Sequence, residues 1–367
     1  MQEFFEAKRK IKSENMEQLA AYRDHLREHP RLVYLFVELT DQCNLHCWHC
    51  GSECGGGKAS FLDTELLLRT LETVAEDFKP QQIMICLTGG EPLLHPDFFR
   101  IVEYILKLGF LWGITTNGTL IDEKTAYRLK ALSLASVTIS MDGTEQTHDS
   151  LRGRKGAFQK TVAAVRHLNA AGIPVQITSV IHRDNFAQLD EMYELMVQMK
   201  TASWRLINLE PIGRALQYPE KFLTQSQMTG LLDYIRQKRF AKDTPMDVRF
   251  GCSHYLSFEY EREVRDNYFF CGSGLYVASI LCNGDIYSCL DIERRPELVQ
   301  GNIEKDRFSE VWYQRFQEFR KDRSMENETC RSCPERRYCG GDSTHTWEFD
   351  KKEPAFCIRK WQDPADK

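Results

Sequence analysis

Val33-Tyr34-Leu35-Phe36-Val37-Glu38-Leu39-Thr40-Asp41-Gln42-Cys43-Asn44-Leu45-His46-Cys47-Trp48-His49-Cys50 is an apolar run that ends in three cysteines, with three and then two residues between them. The run is short and rich in branched and aromatic residues, as a buried strand is. The cysteines therefore lie just past a strand end. Three thiolates on one short loop suit a cubane [4Fe–4S] cluster with one iron left without a protein ligand, since such clusters are held by Cys thiolates. An iron of that kind can bind and reduce another molecule. A zinc knuckle is the competing reading, with His46, His49 or Cys54 as fourth ligand. A disulfide framework suits a short secreted chain, and nothing here looks secreted.

A second apolar run, Ile83 to Leu87, ends in Thr88-Gly89-Gly90-Glu91-Pro92. Paired glycines at a strand end let backbone approach a ligand closely, and Glu91 supplies an acceptor for an ammonium group. The two motifs, one strand apart, resemble the radical S-adenosylmethionine (radical SAM) superfamily. The resemblance implies that Cys43, Cys47 and Cys50 hold the cluster. It implies too that the Gly89, Gly90 and Glu91 segment holds the amino group of the methionine part of SAM.

At 367 residues the chain exceeds one ordinary core, so two domains are expected. The formal net charge is −5 with both signs interspersed, and no basic stripe points to nucleic acid. The first ten residues lack the apolar stretch of a signal peptide, and no run approaches a membrane span. Thirteen cysteines in such a chain favour metal or redox chemistry over structural disulfides. The expectation is a cytoplasmic protein with air-sensitive clusters, bound to neither nucleic acid nor membrane.

Residues 1–30 carry apolar residues at helical spacing (Phe4, Phe5, Ile11, Met16, Leu19, Tyr22, Leu26) and predict one amphipathic helix on the outside of the core. From 31 to 216 short apolar strands alternate with helical stretches. Strands are predicted at Val33–Leu39, Ile83–Leu87, Trp112–Thr116, Ser136–Ser140, Val175–Val180 and Trp204–Asn208. Helices are predicted at Thr64–Phe78, Asp97–Leu108, Lys124–Leu132, Phe158–Ala171 and Asn185–Lys200. Such alternation implies a parallel sheet with right-handed crossovers. The fold class is α/β, a partial (β/α)6 barrel, as the family resemblance also implies. In parallel barrels the chemistry sits at the carboxyl ends of the strands. By position in the family, Ser140 matches the residue that meets the ribose of SAM and Leu209 an adenine-side backbone contact. Arg152 matches the residue that reaches the SAM carboxylate, for which a guanidinium fork is suited. Residues 217–250 form a connecting segment with a helix at Gln225–Arg239, and 251–367 form a docked, cysteine-rich second domain.

That second part holds Cys252, Cys271, Cys282, Cys289, Cys330, Cys333, Cys339 and Cys357. Leu275–Cys282 and Asp285–Ser288 flank Asn283-Gly284, the signal of a hairpin with a type I′ turn in which Cys282 pairs with Asp285. Gln300-Gly301-Asn302-Ile303, an amphipathic helix about Val311-Trp312-Tyr313 and the last four cysteines follow. The arrangement resembles a SPASM domain, a C-terminal extension of radical SAM enzymes that carries auxiliary [4Fe–4S] clusters. The family often has one more cysteine where this chain has Ser343. Cys330, Cys333, Cys339 and Cys357 still make a complete four-thiolate set, and Cys271 and Cys289 build the other site, giving one or two auxiliary clusters. Cys289 stands four residues down the hairpin from Cys282, roughly 13 Å away. Cys282 is therefore read as structural and Cys252 as the third ligand, with His345, His254, water or a substrate atom as the fourth. A zinc ribbon is the alternative. Cys86 is read as a core residue and Cys54 as a non-ligand.

The resemblance implies reductive cleavage of SAM to a 5′-deoxyadenosyl radical, which removes hydrogen from the substrate. It implies a ribosomally made peptide or protein as substrate, modified by crosslinking, epimerisation or oxidation, and a reducing partner such as flavodoxin or ferredoxin. Asp291 is the candidate proton acceptor, an exposed loop carboxylate being the plain alternative, and His345 is a second. Residues 1–30 are too short for a separate peptide-recognition domain. A small-molecule radical dehydrogenase or epimerase is the second reading, and a cluster-bearing electron carrier the third.

Overall fold

The computed structural model describes residues 2–56, 60–242 and 244–359, with side chains from Asn15 onward. After helix α1 (Gln2–Glu28) the chain alternates β1 (Tyr34–Glu38), α2 (Thr64–Asp77), β2 (Met84–Thr88), α3 (Phe98–Lys107), β3 (Leu111–Thr116), α4 (Glu123–Ala131) and β4 (Ser136–Ser140). It continues with α5 (Glu145–Arg152), α6 (Ala157–Ala170), β5 (Val175–Ile181), α7 (Arg183–Phe186), α8 (Leu189–Gln198) and β6 (Ser203–Asn208). β1 to β6 pair in chain order, all parallel. Leu35, Val37, Ile85, Leu87, Ile139, Ile177 and Leu206 are buried at the sheet centre, with Trp112 and Trp204 filling the largest spaces. Strands covered on both faces read as continuous apolar runs, which is why the sequence marks them clearly.

The helix expected over Asn185–Lys200 is two helices. The Asn185 amide donates to the carbonyls of Asp142 (2.9 Å) and Val180 (2.8 Å) and accepts from the His182 amide (2.8 Å). That pins α7 to two strand ends, and α8 starts afresh at Leu189.

The sheet does not stop at six strands. α9 (Gln225–Phe240) leads to β7 (Asp247–Phe250), which pairs in parallel with β6. After α10 (Ser257–Glu261), β8 (Val277–Ile280) pairs in parallel with β1. β9 (Asp285–Tyr287) and β10 (Gly301–Asn302) extend that edge antiparallel, giving ten strands in the order β10-β9-β8-β1-β2-β3-β4-β5-β6-β7 among the described residues. The two ends do not pair, so the barrel is partial. The cysteine-rich hairpin is thus continuous with the barrel sheet through backbone hydrogen bonds. α11 (Phe308–Gln314) buries Val311 and Trp312 and leaves Tyr313 half exposed, stacked on Phe78 beyond α2.

Two local expectations are corrected. The hairpin register pairs Ile280 with Ile286 and Ser279 with Tyr287. The Leu281 amide donates to Asp285 and the Gly284 amide to Leu281. Cys282-Asn283-Gly284 is therefore a three-residue loop. Gly284 takes a left-handed φ of 85° while Asn283 does not, so the turn is not type I′ and Cys282 pairs with nothing across the hairpin. On α1, Tyr22 is exposed, and the buried face is Met16, Ala20, Arg23 and Leu26. Arg23 takes its place there because its guanidinium donates to the carbonyls of Tyr338 (2.8 Å) and Arg337 (2.9 Å). The side chains of Phe4, Phe5 and Ile11 lie outside the described residues.

Glu38 ends β1 fully buried, paired with Arg294 at 2.6 Å and accepting from the Cys282 amide at 3.3 Å. This carboxylate ties the hairpin and the segment after it to the barrel. Arg294→Ala leaves it without a counter-charge and is expected to lower the unfolding free energy by about 3 kcal/mol. Glu38→Gln in the same chain is expected to restore most of the loss, because a neutral amide no longer needs the cation. Denaturant unfolding followed by circular dichroism checks both.

Candidate active site and auxiliary cluster sites

The loop that carries Cys43, Cys47 and Cys50 lies directly on the two glycines after β2. The Gly90 amide donates to the Thr40 carbonyl (2.7 Å) and the Glu91 amide to the Gln42 carbonyl (2.9 Å). A Cβ on Gly89 would stand 2.3 Å from the Thr40 oxygen, and one on Gly90 2.1 Å from the Gln42 oxygen. No other residue type fits, so the two motifs meet in space by a backbone contact. The end of α5 holds the loop from another side, through Arg152 O to the His46 amide (3.0 Å) and Leu151 O to the Trp48 amide (3.2 Å). Arg214, past β6, completes the clasp with bonds from Nε to Cys47 O (2.8 Å) and from Nη1 to Cys54 O (2.9 Å).

Arg152 is buried. Its Nη2 pairs with the buried Asp142 and its Nη1 donates to Cys47 Sγ at 3.5 Å. Burial alone would raise the Asp142 carboxyl, but Arg152, His49, His148 and the Val180 amide together outweigh it and hold it below the usual range. Burial pushes Cys43 up to about 11 and raises Cys47, so neither is a bare thiolate at neutral pH. A thiolate there needs a cation to replace its proton, as iron does. The Cys54 thiol, also buried, donates to the Ser52 carbonyl at 3.7 Å, and its proximity to Cys50 draws that thiol below the ordinary range. Glu91 is fully buried. Its carboxylate accepts from Thr116 Oγ1 (2.8 Å), the Asn117 amide (2.9 Å) and the Leu93 amide (3.3 Å), and burial pushes it up to about 7. The Glu91 carboxylate, expected to accept the SAM ammonium group, instead braces the end of β3 away from the cavity, which the backbone of Gly89 and Gly90 faces.

That cavity, about 300 Å³, is lined by Cys43, Cys47, Cys50, Gly89, Gly90, Ser140, Arg152 and Leu209. Cys252, Asp291, His345 and Glu210 line it too. The barrel residues come from the ends of β1, β2, β4 and β6, and the others arrive from the last third of the chain. Buried polar atoms of lining residues lack protein partners: His49 Nδ1, Arg152 Nε and Asn208 Oδ1. Such atoms are costly unless a ligand satisfies them, and their spread suits a polar, charged cofactor such as SAM.

Cys252, Cys271 and Cys289 share one electrostatic neighbourhood. Burial raises Cys289 well above the ordinary thiol range, and Asp291, Cys271 and Cys252 add to it. Cys252 is also raised by surrounding protein, although its side chain opens to solvent. Of the two histidines expected near this site, His254 is engaged: Nε2 lies 3.1 Å from Glu210 Oε1 and Nδ1 3.1 Å from Asp342 Oδ2. Burial alone would lower it, but the two carboxylates push it up to about 9. His345 faces the cavity, 4.0 Å from Glu210. Asp291 is exposed and opens into the cavity. A second cavity, about 710 Å³, is lined by Cys330, Cys333, Cys339 and Cys357 together. Four thiols on one cavity wall fit a cluster of several atoms. Among the described residues no three His, Cys, Asp or Glu converge on a single ion, as a zinc knuckle would need.

The radical SAM superfamily model matches residues 37–196, and the SPASM model, an iron–sulfur cluster-binding domain, matches residues 271–334. The mycofactocin maturase MftC of Mycobacterium tuberculosis is 32% identical over 346 residues, spanning 91% of this chain and 84% of that protein. The chain belongs to the radical SAM superfamily. An AdoMet-dependent heme synthase of Oleidesulfovibrio alaskensis is 28% identical over 83% of this chain and 80% of its own length. The solved structure of native anSMEcpe with bound AdoMet shares the fold, with a TM-score of 0.72 at 19% identity, covering 90% of this chain and 95% of that one. This radical SAM enzyme accordingly uses a [4Fe–4S] cluster and SAM in the barrel and auxiliary iron–sulfur chemistry in the SPASM part. Among the described residues no helix is long and apolar enough to cross a membrane.

The sequence did not single out Arg214, Asp142, Glu210 or Asp342, and it offered His254 as a cluster ligand rather than as the partner of two carboxylates. Gly213 marks the first, since a Cβ there would stand 2.5 Å from the Cys50 carbonyl. Asp142 and the two carboxylates around His254 carry no local signal. Gly90→Ala must displace the cysteine loop, a strain on the order of 1–3 kcal/mol. The variant is expected to retain the auxiliary clusters and lose the barrel cluster. Iron and sulfide content per chain, with low-temperature EPR of the reduced protein, checks this.

Proposed function

We propose that this radical SAM enzyme is a maturase of a ribosomally made peptide or of a protein, altering a side chain or backbone carbon by crosslinking, epimerisation or oxidation. One observation carries the reading: a single cavity brings Cys43, Cys47 and Cys50 together with Cys252 and Asp291. A C–H bond held there faces the barrel cluster site on one side and an auxiliary site on the other. The likeness to a mycofactocin maturase supports it.

When bound, the barrel cluster and SAM supply one-electron cleavage and hydrogen abstraction. The chain's own residues orient and shield. The backbone at Gly89 and Gly90 receives the SAM amino group, Ser140 the ribose and Leu209 the adenine side, and Arg152, whose fork is taken by Asp142 and Cys47, meets the SAM carboxylate through Nε alone. For crosslinking and oxidation, clusters held by Cys252/Cys271/Cys289 and by Cys330/Cys333/Cys339/Cys357 would supply the acceptor for the electron left on the substrate, and Asp291 would take the proton; epimerisation leaves neither to be taken up. A flavodoxin or ferredoxin in the cytoplasm supplies the reducing electron. A second reading has its own observation: three relatives at 27–28% identity are named AdoMet-dependent heme synthases, so a small-molecule substrate is the alternative.

Anaerobically reconstituted, reduced protein is expected to form 5′-deoxyadenosine from SAM, and Cys47→Ala to form none. With a short peptide encoded beside the gene, mass spectrometry is expected to show a changed peptide mass for a crosslink or an oxidation, and one added deuterium from D2O for an epimerisation. Asp291→Asn should still release 5′-deoxyadenosine while modified peptide falls by about 10²–10⁴-fold, the usual worth of a positioned base. An unchanged peptide alongside a changed small molecule would decide for the second reading.

A further inference from the structure

Cys252 lines not one space but two. Besides the main cavity it borders an open groove of about 270 Å³ whose wall includes Gln176, Arg205, Arg249 and Arg265. We propose that this groove is a second mouth of the site and that Arg205 receives a carboxylate of the substrate there, beside the Cys252/Cys271/Cys289 site. The inference deepens the peptide-maturase reading and rests on it.

The two-residue period of strands sets the placement. Gln176, Thr178 and Val180 on β5 share a face with Arg205 and Ile207 on β6, and Thr178 sits beside Arg205 in the parallel register. Val180 and Ile207 line the main cavity, and Gln176 and Arg205, earlier on the same strands, line the groove. One sheet face thus runs from the barrel cluster site to the groove, with Cys252 between. The chain to Cys252 passes flush over this face because residue 251 is glycine. A Cβ there would stand 2.3 Å from Ile207 Cγ2 and 3.2 Å from Cγ and Cδ of Arg205.

Arg205 is half-buried, and its Nε donates to Thr178 Oγ1 at 3.1 Å. Its two terminal nitrogens have no carboxylate partner among the described residues. The other groove arginines are engaged: Arg249 Nε lies 3.1 Å from Asp247, and Arg265 lies 3.5 Å from Glu261 and donates to His254 O at 2.8 Å. Asp266, which lines the groove, and Asp247 beside Arg249 are held by Arg239, at 2.5 and 3.2 Å. A guanidinium drawn partly out of water wants an anion. Its planar fork, with Nε already fixed by Thr178, offers the two parallel donors that a carboxylate accepts. A peptide brings such groups at its C-terminus and on Asp or Glu. The competing role for Arg205 is to balance the charge of the auxiliary site, since it acts electrostatically on Cys252.

The test uses anaerobically reconstituted, reduced holoenzyme with N-acetylglycine and N-acetylglycinamide as probes, followed by paramagnetic broadening of their proton NMR signals. Wild type is expected to bind the carboxylate about tenfold more tightly than the amide, a modest return for a charged hydrogen-bonded pair. Arg205→Gln should erase that preference, Arg205→Lys should keep part of it, and Arg249→Gln should keep it all. Iron content and EPR spectra confirm that each variant holds its clusters. Equal binding of the two probes by wild type overturns the inference. So does displacement of N-acetylglycine by inorganic phosphate at lower concentration. A shifted auxiliary midpoint potential in Arg205→Gln with the carboxylate preference intact overturns it in favour of charge balance. Wild type that prefers the carboxylate but cleaves no SAM supports the groove and removes the maturase reading. Wild type that cleaves SAM without any preference removes the groove alone.

Discussion

The contact between the backbone of Thr40–Gln42 and the backbone of Gly89–Gly90 is the constraint on which the site depends. At these distances a single Cβ would collide with a carbonyl oxygen, so the loop that carries the cysteines has one resting place. Everything that meets SAM is positioned relative to that contact. The Glu91 carboxylate, saturated by Thr116, Asn117 and Leu93, extends the brace to β3. Arg152 and Arg214 close the loop from the other strand ends.

Buried charge follows one pattern across the molecule. Asp142 pairs with Arg152 ten residues on, while Glu38 with Arg294, and Glu210 and Asp342 with His254, join segments far apart in the chain. Such pairs add little net stability over apolar packing, yet a lone member is costly, so each enforces the presence of its partner. Two of the three link the barrel to the cysteine-rich part. With the parallel pairing of β8 on β1, they make the auxiliary sites part of the barrel wall. Among the described residues Arg205 has no carboxylate partner, and unlike Arg214 and Arg320, whose guanidiniums are spent on backbone carbonyls, it turns its terminal nitrogens to an open groove.

The legible features were those with a short-range physical cause. The six central strands were readable because one face is fully buried and the other half-buried, and their predicted limits differ from the observed ones by no more than one residue. The cysteine triplet and the glycine pair were readable because each needs particular residue types at fixed spacing. The hairpin at Asn283-Gly284 was recognisable, but its register was not. The dipeptide suits both a two-residue and a three-residue loop, and the Leu281–Asp285 pairing selects the second. Tyr22 and Arg23 exchanged roles on α1 because the carbonyls of Arg337 and Tyr338 await a donor there, and periodicity contains no record of them.

The amino-acid order by itself determined the strands, the metal-binding loop and its family, since these follow from local burial and from ligand spacing. Tertiary structure alone decided which distant groups share a space. It placed Cys252 and Asp291 in the same cavity as the first cysteine set and set His254 between two carboxylates. It also left Arg205 facing an open groove without a counter-ion. Those outcomes depend on how the two ends of an open sheet come to face each other, and no stretch of chain carries that information, because the forces that fix it act between residues hundreds of positions apart.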